Sequence, residues 1–490
     1  MLETRSKYAD VEAREHLVDP QYSMPDGNDA EEGLNSSLLS EKKQSRRVRG
    51  HGPDIHDFGV LITWRPIGGT KPATARLALC RLLTRPARAL FRDFDCAKCP
   101  QYLQALPGGS RTAPRRPLSP TAYLDGVRGV AALVVYVFHW GYLWFPFLRQ
   151  GWHSSSDSGS DGGGGSADLF LQRPVVRVLH FGRASVTVFF VVSGYVVAVK
   201  MLTMIHRGQP DRALDALAGS LFRRPLRLYL PIVAATLVNV ALVRGGGGGV
   251  FQKDPTGAGV PPRGATLGRQ LRHWWAHTVH LVNLFRNIDG RANLYSRPYD
   301  RHLWTIPVEF KGSLLVFMLL LAFMKAKRWL HMSVALGFTC WLAQLGDLDM
   351  SLFCSGLLLA ELSIVLPPAE PLLQRPFTTT FAQCLGKTSY ALYLAHGTVN
   401  HTVGTRFLNP AWAAWVSAEK VALDLRETGL GDAADAVLYR SWSAYMDAAL
   451  WGSLVNTFVL FWAADLFCRA VDVPMVKLTW ALGSWAWKKK

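Results

Sequence analysis

Apolar residues in this chain gather into long runs separated by polar, often basic stretches. A helix needs about 20 apolar residues to cross a hydrocarbon core of about 30 Å. Eight stretches approach that length: 124–148, 179–200, 228–243, 303–324, 329–346, 350–366, 388–408 and 448–468. Residues 270–285 (QLRHWWAHTVHLVNLF) are too polar for a span and suit an interfacial or re-entrant helix. The pattern predicts an all-α polytopic integral membrane protein with about eight to ten transmembrane helices. The spans occupy residues 121–470, and 471–490 forms a cytosolic or interfacial tail. Residues 1–120 read as a cytosolic, largely disordered tail, because 1–58 are polar and poor in aromatics. The opening residues mix charges where a signal peptide would carry an apolar core. Within the tail, Arg81, Arg85, Arg88 and Arg92 form one stripe of segment 75–94. That stripe fits a basic amphipathic helix on the cytosolic leaflet or a solvated arm equally well.

Composition sharpens this reading. Charged residues make up 18% of the 490, below the roughly 25% of soluble domains, and the net charge is +18. A basic chain can be a nucleic-acid binder, but here the Lys and Arg residues mostly flank apolar runs, as cytosolic loops do. No nucleic-acid partner is expected; the lipid bilayer is. The seven cysteines are odd in number and mostly apolar in context, and Cys96-x-x-Cys99 lacks a second ligand pair, so no metal is expected. The glycine runs at 162–165 and 245–249 lack the Lys-Ser/Thr that a phosphate loop needs. Charge also sets an orientation. Arg111, Arg115 and Arg116 precede the first span, and Lys200 to Arg227 and Lys488–Lys490 are basic, so both termini should be cytosolic. The loops 150–170 and 409–447 then lie outside. The basic segment 244–302, which must also lie outside, resists the rule.

Four polar groups interrupt the spans. Arg128 and His139 stand 11 residues apart, about 20° beyond three helical turns and about 16.5 Å along the axis, so they share a face. Taken singly, Arg128 could snorkel to the surface and His139 could be interfacial; together they suggest a cavity. Arg224 and Arg227 stand at i, i+3 around Pro225, a residue suited to opening a helix. They read as an anion site at a helix N-terminus or as a positive-inside anchor. Glu309 lies on a stripe with Thr305 and Ser313, and its partner must come from another helix, His139 being a candidate. Ser389, Tyr393, His396 and Asn400 form a fourth stripe that either glues helices or lines a cavity. Combined, they describe a cavity with arginines at its cytosolic mouth and His139 and Glu309 toward the other side. Such a cavity suits a phosphate-bearing donor whose transferred group reaches a membrane-embedded base.

The motifs resemble those of the membrane acyltransferase-3 family, in the form common in fungi. YLDGVRGVAALVVYVFHW is similar to its first helix, VTVFFVVSGYVV to its second, and Arg224-x-x-Arg227 to its paired arginines. HLWTIPVEF is similar to its Trp–Glu helix and LGKTSYALYLAHG to its late Tyr/His helix, in the family's order. The resemblance covers about residues 121–470. It implies transfer of an acyl group from acyl-CoA, often acetyl-CoA, to a hydroxyl of a carbohydrate, lipid or small metabolite. His139 would be the catalytic histidine with Glu309 in support. Arg128, Arg224 and Arg227 would contact the CoA donor, and Ser389, Tyr393 and His396 would line the cavity. One carboxylate, Glu309, stands where many bacterial members have two. A secondary transporter of a small polar or anionic solute is the competing class, since it too places ionisable groups within spans. Against it, the two halves show no internal symmetry.

Overall fold

The computed structural model describes residues 118–486, apart from 120, 146–147, 149–169, 247–248, 256, 258, 285–297 and 367–370. The expected tail, its basic segment at 75–94, nearly all of loop 150–170 and Lys488–Lys490 therefore lie outside the described residues. Every regular element described is helical. The main ones are α1 (Ala122–Trp144), α2 (Gly182–His206), α3 (Pro210–Gly245), α4 (Leu267–Val282), α5 (Thr305–Ala322) and α6 (Arg328–Gln344). They continue with α7 (Leu348–Val365), α8 (Thr380–Val399), α9 (Thr405–Glu427), α10 (Gly431–Phe467) and α11 (Val473–Ala486).

The protein is an integral membrane protein. Among the described residues, six helical stretches are long and apolar enough to cross a bilayer: α1, α2, α3, α5 with its leading turn, α7, and the continuous run from α10 through α11. Backbone polar groups can be satisfied within hydrocarbon only by such internally bonded elements. The expected spans at 329–346 and 388–408 are also helices, α6 and α8. α6 has only 17 residues. α8 carries Gln383, Lys387, Ser389, Tyr390, Tyr393 and His396, yet Leu385, Leu392, Leu394 and His396 are buried. Protein, not lipid, surrounds it, so it can be polar. α4 is the helix expected near 270–285, opened by Thr266, whose side chain accepts from the Arg269 amide at 3.2 Å.

Two expectations need correction. Pro225 does not open a helix. α3 begins at Pro210 and runs through both Pro225 and Pro231. Each proline removes one backbone donor without ending the helix, so Arg224 and Arg227 sit mid-helix, beyond reach of its positive N-terminal end. Likewise, 409–447 is no open loop. It lies within α9 and the first half of α10, a helical hairpin across which Arg426 pairs with Asp435 at 2.7 Å. Apart from half-buried Glu419, its acids and basics are exposed, while Trp412, Trp415, Trp442 and Tyr445 pack between the helices with neighbouring ring centroids 5.3–5.8 Å apart.

α1 and α8 form the crossing that matters for the site. A Cβ built on Gly129 would stand 2.5 Å from the Leu385 carbonyl carbon and nearer still to the Gly386 amide. Two glycines thus let the backbones touch, which drives helix association in lipid, where burial of apolar surface gives no net gain. Farther along the pair, Asn456 of α10 donates to Asn400 (2.8 Å) and to Tyr136 of α1 (3.1 Å). Asn400 therefore glues helices.

Candidate active site

Three histidines meet where α1, α5 and α8 converge. His139 comes from the late turns of α1, His396 from the late turns of α8, and His302 from the 3₁₀ turn Arg301–Trp304 that leads into α5. Ring centroids are 4.1 Å apart for His139 and His302, 4.4 Å for His302 and His396, and 5.3 Å for His139 and His396. The helix face that carries His139 thus points to the interior, and His396 of the fourth stripe joins it there.

Local structure holds two of these rings. Asp300 caps the 3₁₀ turn in extended conformation, as an N-cap acid does, and its Oδ1 accepts from the His302 amide at 2.9 Å. The same oxygen lies 3.0 Å from His302 Nδ1. Burial pushes the Asp300 carboxyl up, but the His302 hydrogen bonds and the neighbouring imidazoles outweigh it and hold it below the usual range. An ionised Asp300 makes His302 Nδ1 the donor and leaves Nε2 with the lone pair. Gly397 makes room for this pair: a Cβ there would come within 2.8 Å of His302 Nδ1. On the other side, His396 Nδ1 donates to the Tyr393 carbonyl at 2.7 Å, and its Nε2 is buried without a partner. Tyr393 also bonds Thr305 Oγ1 at 2.7 Å and donates to the His302 carbonyl.

Sequence reasoning missed His302 and Asp300. The available signal was Asp-x-His placed directly before an apolar run, which combines a cap with a ring partner. Each of the three histidines offers a nitrogen within 4.8 Å of the other two. Zinc, with bonds of about 2.0–2.1 Å, would require the rings to move together.

Glu309 is elsewhere. Its Oε1 accepts from Arg224 Nη2 at 3.2 Å and from Ser193 Oγ at 3.1 Å, so its partner is Arg224 of α3 and not His139. Arg128, Arg224, Arg227, Glu309, Ser193, Tyr390 and Asp472 line a cavity that is open to solvent. Asp472 was also missed; it ends a π-helical turn, Cys468–Asp472, between α10 and α11. The Nε atoms of Arg128 and Arg224 are buried without partners. Three guanidiniums against two carboxylates leave a net positive lining.

A second, mostly apolar cavity shares Arg128, Glu309 and Tyr390 with the first. Val186, Phe189, Phe190, Thr305, Ile306, Ser389 and Tyr393 form the rest of its wall. Ser389 and Tyr393 thus line a cavity, although the Ser389 hydroxyl is spent on the Gly386 carbonyl of its own helix at 2.9 Å. The histidines line neither cavity. Thr305 and Tyr393, bonded to each other, line the apolar one, and Tyr393 also reaches the His302 carbonyl and lies 5.7 Å from the His396 ring. Of the expected residues, the fold brings together Arg128, Arg224, Arg227 and Glu309 at one end, and His139 with His396 at the other.

Known proteins share parts of this chain. Residues 121–362 match the family model described as an acyltransferase domain. The chain is 26% identical over 391 residues to the O-acetyltransferase PaAT-1 of Phomopsis amygdali, covering 60% of this chain and 76% of that protein. It is 27% identical over 273 residues to acyltransferase clz18 of Cochliobolus lunatus, covering 49% and 57% of the two. An acyltransferase of a Phoma species is 26% identical over 286 residues, covering 50% and 58%. The chain spans less than two thirds of the length of the latter two. No solved structure matches.

Proposed function

The chain belongs, through residues 121–362, to the acyltransferase-3 family of transferases, and from that premise we propose that it is a membrane-embedded O-acyltransferase using acyl-CoA. The observation that carries this reading is the pair of joined cavities, one lined by arginines and one apolar, ending one side-chain layer from a histidine cluster. CoA carries a 3′-phosphate and a pyrophosphate, and guanidinium forks bind phosphate oxygens bidentately. Arg128, Arg224 and Arg227 take these phosphates. Glu309 holds the Arg224 fork and moderates repulsion among the three cations. The pantetheine arm runs along the apolar cavity, and the thioester reaches the histidines where Thr305 and Tyr393 now meet. The axial rise of about 16.5 Å between Arg128 and His139 is the length this arm spans.

His139 then acts as general base. The acceptor hydroxyl attacks the thioester carbonyl carbon and gives its proton to the imidazole. Collapse of the tetrahedral intermediate breaks the C–S bond, and the departing CoA thiolate recovers the proton. An oxygen acceptor agrees with the name of the Phomopsis relative, an O-acetyltransferase. The acceptor is a hydroxyl of a carbohydrate, lipid or small metabolite. The arginine end faces the cytosol, where Lys200, Arg207 and Arg212 lie close in sequence.

The test is CoA thiol release from acetyl-CoA by the purified full chain in nanodiscs, together with binding of desulfo-CoA. His139→Ala should abolish release while binding persists. Arg224→Lys and Arg227→Lys should weaken binding about 10-fold, because each keeps the charge and loses the fork. Unchanged desulfo-CoA affinity in both lysine variants and in Arg128→Lys would remove the donor from this cavity.

A further inference from the structure

His139 is the histidine that the acyltransferase reading needs, yet it is the one the structure leaves unheld. It makes no hydrogen bond among the described residues, whereas His302 and His396 each spend Nδ1 on a fixed acceptor. In the neutral form of each neighbour Nε2 is then the nitrogen with the lone pair, and the His396 one is buried without a partner in a residue only 1% exposed. A neutral imidazole has one N–H and can satisfy one such lone pair. Given to His302, that N–H would fix the His139 ring and leave its second nitrogen unbonded.

We propose that Asp300 and His302 are positioning residues for acyl transfer: Asp300 fixes the His302 tautomer, and His302 Nε2 accepts the His139 N–H, leaving the other His139 nitrogen to face the acceptor hydroxyl. The arrangement is carboxylate, imidazole, imidazole, with geometry supplied by the Asp300 cap, the close ring contact and the space at Gly397. When the hydroxyl O–H bond breaks and oxygen bonds the thioester carbon, the proton resides on His139. Its charge is then carried by a chain that ends in the Asp300 carboxylate. Loss of the C–S bond returns the proton to the CoA thiolate, so the chain is restored at each turnover. The proposal rests on the acyltransferase reading for its chemistry, but the arrangement of the three side chains can be examined without any donor.

A purely structural Asp300 would only cap the 3₁₀ turn, and Asn caps as well as Asp. Asp300→Asn therefore separates the two roles. In nanodiscs, thiol release from acetyl-CoA should fall at least 10-fold in kcat for Asp300→Asn and about 100-fold for His302→Ala. KM for acetyl-CoA should stay within about twofold, since the arginine cavity is untouched. Wild-type kcat in both variants overturns the proposal. A second measurement needs no donor: diethyl pyrocarbonate labelling of His139, followed by mass spectrometry. Loss of the chain should slow labelling of His139 several-fold in Asp300→Asn. Unchanged labelling overturns the proposal even if the chain proves unable to use acyl-CoA, and faster labelling overturns it as mere opening of the site. Stoichiometric zinc in the purified protein that is lost in His302→Ala would also overturn it, making the cluster a metal centre.

Discussion

Replacing Gly129 by Ala tests whether close contact between α1 and α8 builds the site. The new Cβ would lie 2.5 Å from the Leu385 carbonyl carbon, about 0.9 Å short of the 3.4 Å at which ordinary contact begins. The obstacle is backbone, so no rotamer change relieves it. α1 and α8 must part by about that amount at the crossing. Overpacking of this kind costs about 1–3 kcal/mol. Against it, Ala is a better helix former than Gly by about 1 kcal/mol. Gly337 of α6 supplies the control, because nothing lies within 4 Å of where its Cβ would stand. Gly337→Ala receives the propensity gain alone, so the difference between the two variants reports the overpacking. Thermal unfolding in one detergent should show Gly337→Ala at or above wild type and Gly129→Ala below it. A displacement near 1 Å at a reacting centre can cost about 100-fold in rate, so turnover should fall in Gly129→Ala even where it stays folded. Equal melting temperatures with full turnover in both would mean that α1 and α8 approach less closely than described.

Other consequences are more local. Asn456 is fully buried, and its amide donates to Asn400 and Tyr136, so Asn456→Leu should destabilise the protein by about 1 kcal/mol, measured by unfolding in micelles. Wild-type stability would show that this polar bridge does not hold α1, α8 and α10 together. On α4, outside the spanning helices, burial first and then His273 and His280 push His277 down to about 4. The undocked helix would bind a proton at the ordinary histidine pKa of about 6.5, so stability contributed by docked, neutral His277 is full above that value. It is lost as pH falls from about 6.5 toward 4. Hydrogen-exchange protection of α4, taken relative to the intrinsic rate at each pH, should therefore fall as pH falls through that window in wild type and fall less in His277→Gln; identical profiles would refute the assignment.

Much of this molecule is legible in its sequence. Apolar runs of about 20 residues require helices in lipid, because no water is there to satisfy an open backbone. Periodicity places Arg128 and His139 on one face, since 11 residues nearly complete three turns. The motifs in their order carry the resemblance to membrane acyltransferases, and the acyltransferase-domain model matches residues 121–362. What one-dimensional spacing could not provide was which polar residue meets which. Glu309 pairs with Arg224, 85 positions earlier in the chain, only because α3 and α5 cross beside it. Proline suggested a helix start at Pro225, but the long α3 carries it internally, supported by its neighbours. His302 looked like an ordinary residue beside Trp304 until a cap, a glycine and two other helices brought it against His139. Helix formation depends on contacts a few residues apart, so sequence determines it. The histidine cluster depends on interhelical packing, which side-chain shape and close glycine contacts decide only once the helices have assembled.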